Sequence, residues 1–294
     1  MPNKIRIAPT PSGYLHLGNI LSFALTAALA ERVDARILLR IDDMDRQRAN
    51  SAYVQDIFDT LNFLEIPWHE GPRTLQEFES EWSQIHRMPL YQQALEQLLQ
   101  TEQVFACNCS RSQIRSLSID ESYPGTCSHE AVPLDGSEVN WRITTPRYSE
   151  IQIQLWPQGN QSAKLPALMQ YFVVRKKDGF PAYQLSSLVD DVHFGITHIV
   201  RGVDLLPSTL AQVYLAQILR ADSFTQVQFY HHGLLMGADQ QKLSKSAGAT
   251  SIRYLREQGY KPEQIYQQIA NLTGIDELVT NWRQLAEVVF HKRI

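Results

Sequence analysis

Residues 4–41, KIRIAPTPSGYLHLGNILSFALTAALAERVDARILLRI, decide the fold. Lys4-Ile5-Arg6-Ile7-Ala8 is a short β-like run, and the cluster Pro9-Thr10-Pro11-Ser12-Gly13 ends it. Apolar residues at helical spacing then predict a helix over residues 18–31. Residues 35–41 (ARILLRI) are almost continuously apolar, as in a strand covered on both faces. Strand, crossover helix, strand is the grammar of a parallel α/β sheet. The apolar stretch 20–30 is broken by Ser and Thr and is shorter than the roughly 20 residues of a membrane span. No basic segment and small-residue cleavage site frame it as a signal peptide. It reads as a core helix.

Outward from this unit, helical patterns cover 50–64 and 88–103, and residues 42–46 form an acidic turn. Between 106 and 135 Cys, Ser, Gly and Pro become frequent and periodicity fades, which predicts a loop-rich insertion. Strand-like segments return at 139–145, 150–156 and 171–175. A helix at 183–190, a strand at 196–201 and a helix at 208–220 follow, then a polar loop at 242–246 and helices to the end. The expected architecture is α/β. It has a Rossmann-type parallel-sheet domain in two halves (1–105 and 136–235), the insertion at 106–135, and a loop with a short helical C-terminal region at 236–294.

The 294 residues suffice for one large or two ordinary domains. With 44% hydrophobic and 20% charged residues the composition is that of a globular chain, not a disordered one. A net charge of -4 excludes a generally cationic nucleic-acid coat but leaves room for a local basic patch. Three cysteines are too few for a disulfide scaffold, which favours a reducing cytosol.

Two motifs carry chemistry. In His16-Leu17-Gly18-Asn19 a Pro/Gly turn enters a helix whose free N–H groups attract anions. His16 there can hydrogen-bond phosphates, and Gly18 lets a purine approach the backbone. On its own, His16 reads more often as an ordinary surface or core histidine. In Lys242-Leu243-Ser244-Lys245-Ser246, two lysines and two hydroxyls suit a loop that closes over phosphates, although such a run alone is common solvated surface. Elsewhere, Asp190-Asp191 read as structural, and Arg175-Lys176-Lys177 as mostly solvated surface. Cys107-x-Cys109 with Cys127 is tighter than the usual zinc spacing, and alone it reads as three reduced thiols.

HLGN followed by KLSKS resembles the paired signature of class I aminoacyl-tRNA synthetases. The stretches IRIAPTPSGYLHLGN, LLRIDDMDRQR, AYQLSSLVDDVHFGITHIVRGVDLLPST and GADQQKLSKS together resemble the glutamyl/glutaminyl branch of that class. Within the branch the likeness is to glutamyl-queuosine tRNA(Asp) synthetases, which lack an anticodon-binding domain. The chain ends at residue 294, too soon after Ser246 for a helical domain of about 100 residues or more, which is the expectation for that subfamily.

The resemblance implies ATP-dependent activation of L-glutamate and transfer to queuosine in tRNA(Asp), by a cytoplasmic monomer with no membrane partner. It implies His16 and Lys245 as catalytic groups, with Gly18, Asn19, Lys242, Ser244 and Ser246 also at ATP. It implies Arg6, Ala8, Thr10, Asp42, Tyr183 and Arg201 around glutamate. One structural Zn²⁺ would sit on Cys107, Cys109, Tyr123 and Cys127, and Mg²⁺ would arrive with ATP. Asp42 departs from the Glu usual in glutamyl members, which leaves open another amino acid or another acceptor. A catalytically silent RNA-binding paralogue is the reading from a different class, and the intact HLGN and KLSKS argue against it.

Overall fold

The computed structural model describes residues 2–117, 122–146, 150–235 and 251–292. The chain begins with β1 (Asn3–Ile7), α1 (Leu17–Arg32), β2 (Ala35–Leu39), α2 (Ser51–Phe63), α3 (Leu75–Glu77) and α4 (Met88–Leu99). β3 (Val104–Cys107), α5 (Arg111–Leu117), β4 (Asn140–Ile143), β5 (Glu150–Leu155), β6 (Gly159–Lys164) and β7 (Val173–Arg175) follow. Then come α6 (Tyr183–His193), β8 (His198–Gly202), α7 (Leu206–Ile218), α8 (Asp222–Thr225), β9 (Gln228–His232), α9 (Ile252–Glu257), α10 (Pro262–Leu272) and α11 (Trp282–His291). These elements form two compact units, Met1–His86 with His198–Val203 and Tyr230–Ile294, and Arg87–Thr197 with Asp204–Phe229.

In the first unit β1 lies parallel to β2 along its whole length, from Asn3↔Ala35 to Ile7↔Leu39. On its other side β1 runs parallel to β8 at Ile5↔His198, and the strand order is β2-β1-β8-β9. Every residue of β8 is buried, as are Ile5, Arg6 and Ile7 of β1. The crossover helix α1 starts at His16 and buries Leu17, Ile20, Leu21 and the whole run Phe23–Ala30, so it is apolar nearly all round. It ends where Val33 N–H donates to the Leu29 carbonyl and Asp34 turns left-handed at φ 50°. The expected parallel strand-helix-strand unit is therefore present. The second strand stops at Leu39 rather than residue 41, and Arg40 turns its side chain onto Asp42. The C-terminal helices close the same unit. Arg32 of α1 stacks on Phe290 of α11, Tyr266 OH donates to the Leu64 carbonyl at 2.6 Å, and Trp282 Nε1 donates to the Glu65 carbonyl at 3.0 Å.

In the second unit β5 and β6 form an antiparallel hairpin, and β5 runs parallel to Gln228–Phe229 of β9. A separate antiparallel sheet has the order β3-β4-β7, with a register shift between Trp141 and Arg142. The helix expected to reach residue 103 ends at Leu99, because Val104–Cys107 is drawn into this sheet as β3. Among the described residues, no helix is long and apolar enough to cross a membrane.

Candidate active site and thiol cluster

The proline-glycine turn after β1 delivers His16 to the N-cap of α1. Its Nδ1 accepts the Gly18 N–H at 3.1 Å, and its own N–H donates to Asn19 Oδ1 at 3.1 Å. With Nδ1 as acceptor, the neutral ring carries its proton on Nε2 as a donor. Gly18 leaves room for this fold-back: a Cβ there would lie 3.1 Å from both His16 Cε1 and Nδ1, and the ring would have to shift by a few tenths of an ångström. An imidazole donor thus stands at the positive end of a 16-residue helix, a ready position for a phosphate.

Residues on either side of the KLSKS segment are tied to the same helix. His232, at the end of β9, shares a 2.6 Å hydrogen bond with Ser22 of α1 through Nε2 and donates from Nδ1 to the Gly233 carbonyl. Beyond the segment, Ser251 bridges His16 and the Ile252 N–H donates to the Leu15 carbonyl at 2.8 Å. Lys242, Ser244, Lys245 and Ser246 themselves lie outside the described residues.

Arg6 and Arg201 are both buried, each as the penultimate residue of its strand, on the neighbouring parallel strands β1 and β8. The C-terminal edge of a parallel sheet is where such folds take their ligands. Ala8 and Thr10 follow β1 at that edge and are partly buried. Asp42 is buried and held by Arg40, which donates to its two oxygens at 2.7 and 3.1 Å from a fully buried guanidinium. Next to it Asp43 accepts from Ser83 Oγ, the Gln84 N–H and Arg46, which ties the acidic turn to residues 83–84. Tyr183, exposed at the start of α6, belongs to the second unit.

The second unit holds the thiols. The Sγ atoms of Cys107, Cys109 and Cys127 lie within 4.8 Å of one another, the last two 3.5 Å apart. Zn–S bonds of about 2.3 Å in a tetrahedron need sulfurs slightly under 4 Å apart, so this set closes on an ion with small shifts. Tyr123 brings its hydroxyl to the cluster, where it accepts the Cys127 N–H at 2.8 Å and bonds to the Cys107 and Cys127 thiols. Burial and the neighbouring sulfurs push the Cys109 thiol up to about 12 and raise the Tyr123 phenol as well. At Cys107 burial acts in the same direction but is outweighed by the Tyr123 hydroxyl and the Arg142 guanidinium, which lower it. Gly125 permits the turn, because at φ +85° a Cβ would meet the Tyr171 ring at 2.8 Å. The three thiols together could hold a zinc ion, and the Tyr123 hydroxyl stands beside them.

The description "tRNA synthetases class I (E and Q), catalytic domain" matches residues 3–281. The chain belongs to this synthetase family. It is 35% identical over 284 residues to the Glutamyl-Q tRNA(Asp) synthetase of Symbiobacterium thermophilum, covering 92% of this chain and 86% of that one. It is 34% identical over 282 residues to Glutamate--tRNA ligase 2 of Nitrosococcus oceani, again covering 92% of this chain but 59% of the relative. It therefore spans little more than half the length of that relative. The crystal structure of a glutamate-tRNA synthetase from Elizabethkingia anophelis shares the fold at TM-score 0.74 and 23% identity, covering 97% of this chain and 65% of that chain.

Of the residues that the sequence singles out, the fold brings His16, Gly18 and Asn19 together at one helix end and Cys107, Cys109, Tyr123 and Cys127 into one cluster. Asn19 has a structural duty as well, closing the cap through Oδ1. Asp190 is a packing carboxylate, fully buried and bonded to Arg87 at 2.7 and 3.0 Å and to Tyr91 OH at 2.7 Å. Sequence reasoning missed Arg40, Arg142 and the Ser22–His232 pair. Only Arg40 left a local signal, since side chains two apart on an extended chain point the same way and Asp42 lies two residues on.

Proposed function

We propose that this chain activates L-glutamate with ATP–Mg²⁺ and transfers the glutamyl group to queuosine in the anticodon of tRNA(Asp). The observation that carries the activation step is the end of α1, where His16 is oriented as a donor and the chain on both sides of KLSKS is fastened to that helix. The α-carboxylate of glutamate attacks the α-phosphate in line, forming glutamyl-adenylate and releasing pyrophosphate. The attacker is already an anion, so no general base is needed, and catalysis lies in alignment and charge neutralisation. His16 and Lys245 supply that neutralisation, with Gly18, Asn19, Lys242, Ser244 and Ser246 completing the ATP site. Mg²⁺ rides on the phosphates.

Two buried guanidiniums on adjacent strands favour an acidic side chain over its amide, because an arginine fork bonds a carboxylate twice and leaves a neutral amide short of charge. Asp42 is the carboxylate that meets the substrate ammonium, with Arg40 fixing its orientation through both oxygens. Ala8 and Thr10 line the same glutamate pocket at the end of β1. Cys107, Cys109, Cys127 and Tyr123 hold one structural Zn²⁺, which supplies folding energy to a region with little core of its own. The queuosine acceptor is supported by the likeness that extends over most of the glutamyl-Q relative, and the monomeric, cytoplasmic state belongs to the same reading. The test is transfer of labelled glutamate to tRNA(Asp) with and without queuosine. Label should enter only the queuosine-bearing tRNA, at the anticodon, and label at the 3′ end of either tRNA would overturn the acceptor.

A further inference from the structure

Arg142, on β4, is a buried cation that the fold leaves without a buried anion. It is 7% exposed, and among the described residues no carboxylate pairs with it. Its Nη1 donates to the Tyr171 carbonyl at 2.8 Å, its Nε has no hydrogen-bond partner, and its guanidinium lies 3.9 Å over the Tyr123 ring. It also bonds to the Cys107 thiol. The register shift between Trp141 and Arg142 is a local irregularity of the kind that re-aims a side chain.

A guanidinium taken out of water without a counter-charge costs several kcal/mol. A divalent ion held by three thiolates and a phenolate is the converse case, a centre with two negative charges in excess. Each of these groups answers the other. Resting on the zinc reading above, we propose that Arg142 is the counter-charge of the metal centre: it holds Cys107 and the Tyr123 ring in their metal-binding arrangement and sets how tightly the ion is bound. Tyr123 is its direct partner, since the guanidinium lies 3.9 Å over the ring face, within the range of a cation–π contact.

The experiment compares the full chain with Arg142→Met and Arg142→Lys by competing bound Zn²⁺ against a chromophoric chelator. Unfolding midpoints are measured before and after the metal is removed, and Co²⁺ spectra report the ligand set. We expect Arg142→Met to bind Zn²⁺ about 10- to 100-fold more weakly, the range for groups that orient metal ligands, and Arg142→Lys to recover most of the loss. The metal-free Arg142→Met chain should unfold at a midpoint no lower than the metal-free wild type, because an uncompensated buried charge has been removed. A residue that serves packing alone would lower both midpoints and leave the affinity unchanged, and that result overturns the proposal. If Arg142→Met does not fold, Arg142→Lys decides: zinc held within a few-fold of wild type, with a tetrahedral thiolate Co²⁺ spectrum, supports it, and loss of the metal contradicts it. Wild-type chain that binds neither Zn²⁺ nor Co²⁺ removes the zinc reading and this inference together, whereas unchanged affinity in Arg142→Met removes only the inference.

Discussion

His16 has two tasks that substitutions can separate. Its Nδ1 caps α1 through the Gly18 N–H, and its Nε2 is the donor assigned to the nucleotide phosphates. His16→Ala removes both functions, whereas His16→Asn restores a good cap acceptor without the imidazole. We expect His16→Ala to lose about 1 kcal/mol of stability and His16→Asn to stay within a few tenths of wild type. Both should lose about 10²-fold or more in adenylate formation. Thermal melts with pyrophosphate exchange read the two effects, and wild-type exchange by His16→Asn would reduce His16 to a cap. The sequence exposed this residue because HLGN follows a strand and a Pro/Gly turn, a context readable within about fifteen residues. Arg142 was hidden for the opposite reason. Its partners Tyr123, Cys107 and Tyr171 come from separate stretches of chain, and only the packed sheet brings them together.

Among the elements, α4 and α6 are joined by buried charge. Arg87, the residue before α4, and Tyr91 within it both bond Asp190 of α6, and Arg87 also lies over the Phe194 ring. Arg87→Ala leaves the Asp190 carboxylate buried without its counter-charge, which should cost about 3–5 kcal/mol in urea unfolding. A loss below about 1 kcal/mol would show that water reaches Asp190 and that the pair does not fasten the helices. The elements with strong periodicity, β1, α1 and β2, were legible because their pattern is set by burial against one sheet. β6 was not. Its sequence GNQSAK is largely exposed and has no apolar alternation, and it is a strand because it pairs with β5 from Glu150↔Lys164 to Leu155↔Gly159. The short strand β3 escaped for a related reason, with only Ala106 and Cys107 buried beside a segment of loop-like composition.

For the molecule as a whole, the first unit holds both an anion-receiving helix end and two buried arginines at the edge of one parallel sheet. The second unit carries the thiol cluster and Tyr183. The parallel core was readable from 38 consecutive residues, 4–41, but the division of the chain was not, because each unit is assembled from separated segments. The measurement that bears most directly on the central claim is ATP–pyrophosphate exchange by the purified, tRNA-free chain across a panel of amino acids. Glutamate should support exchange well above glutamine and aspartate, since only it places a carboxylate at the reach of Arg6 and Arg201. Exchange driven best by glutamine, or by no amino acid at all while tRNA still binds, would contradict the account.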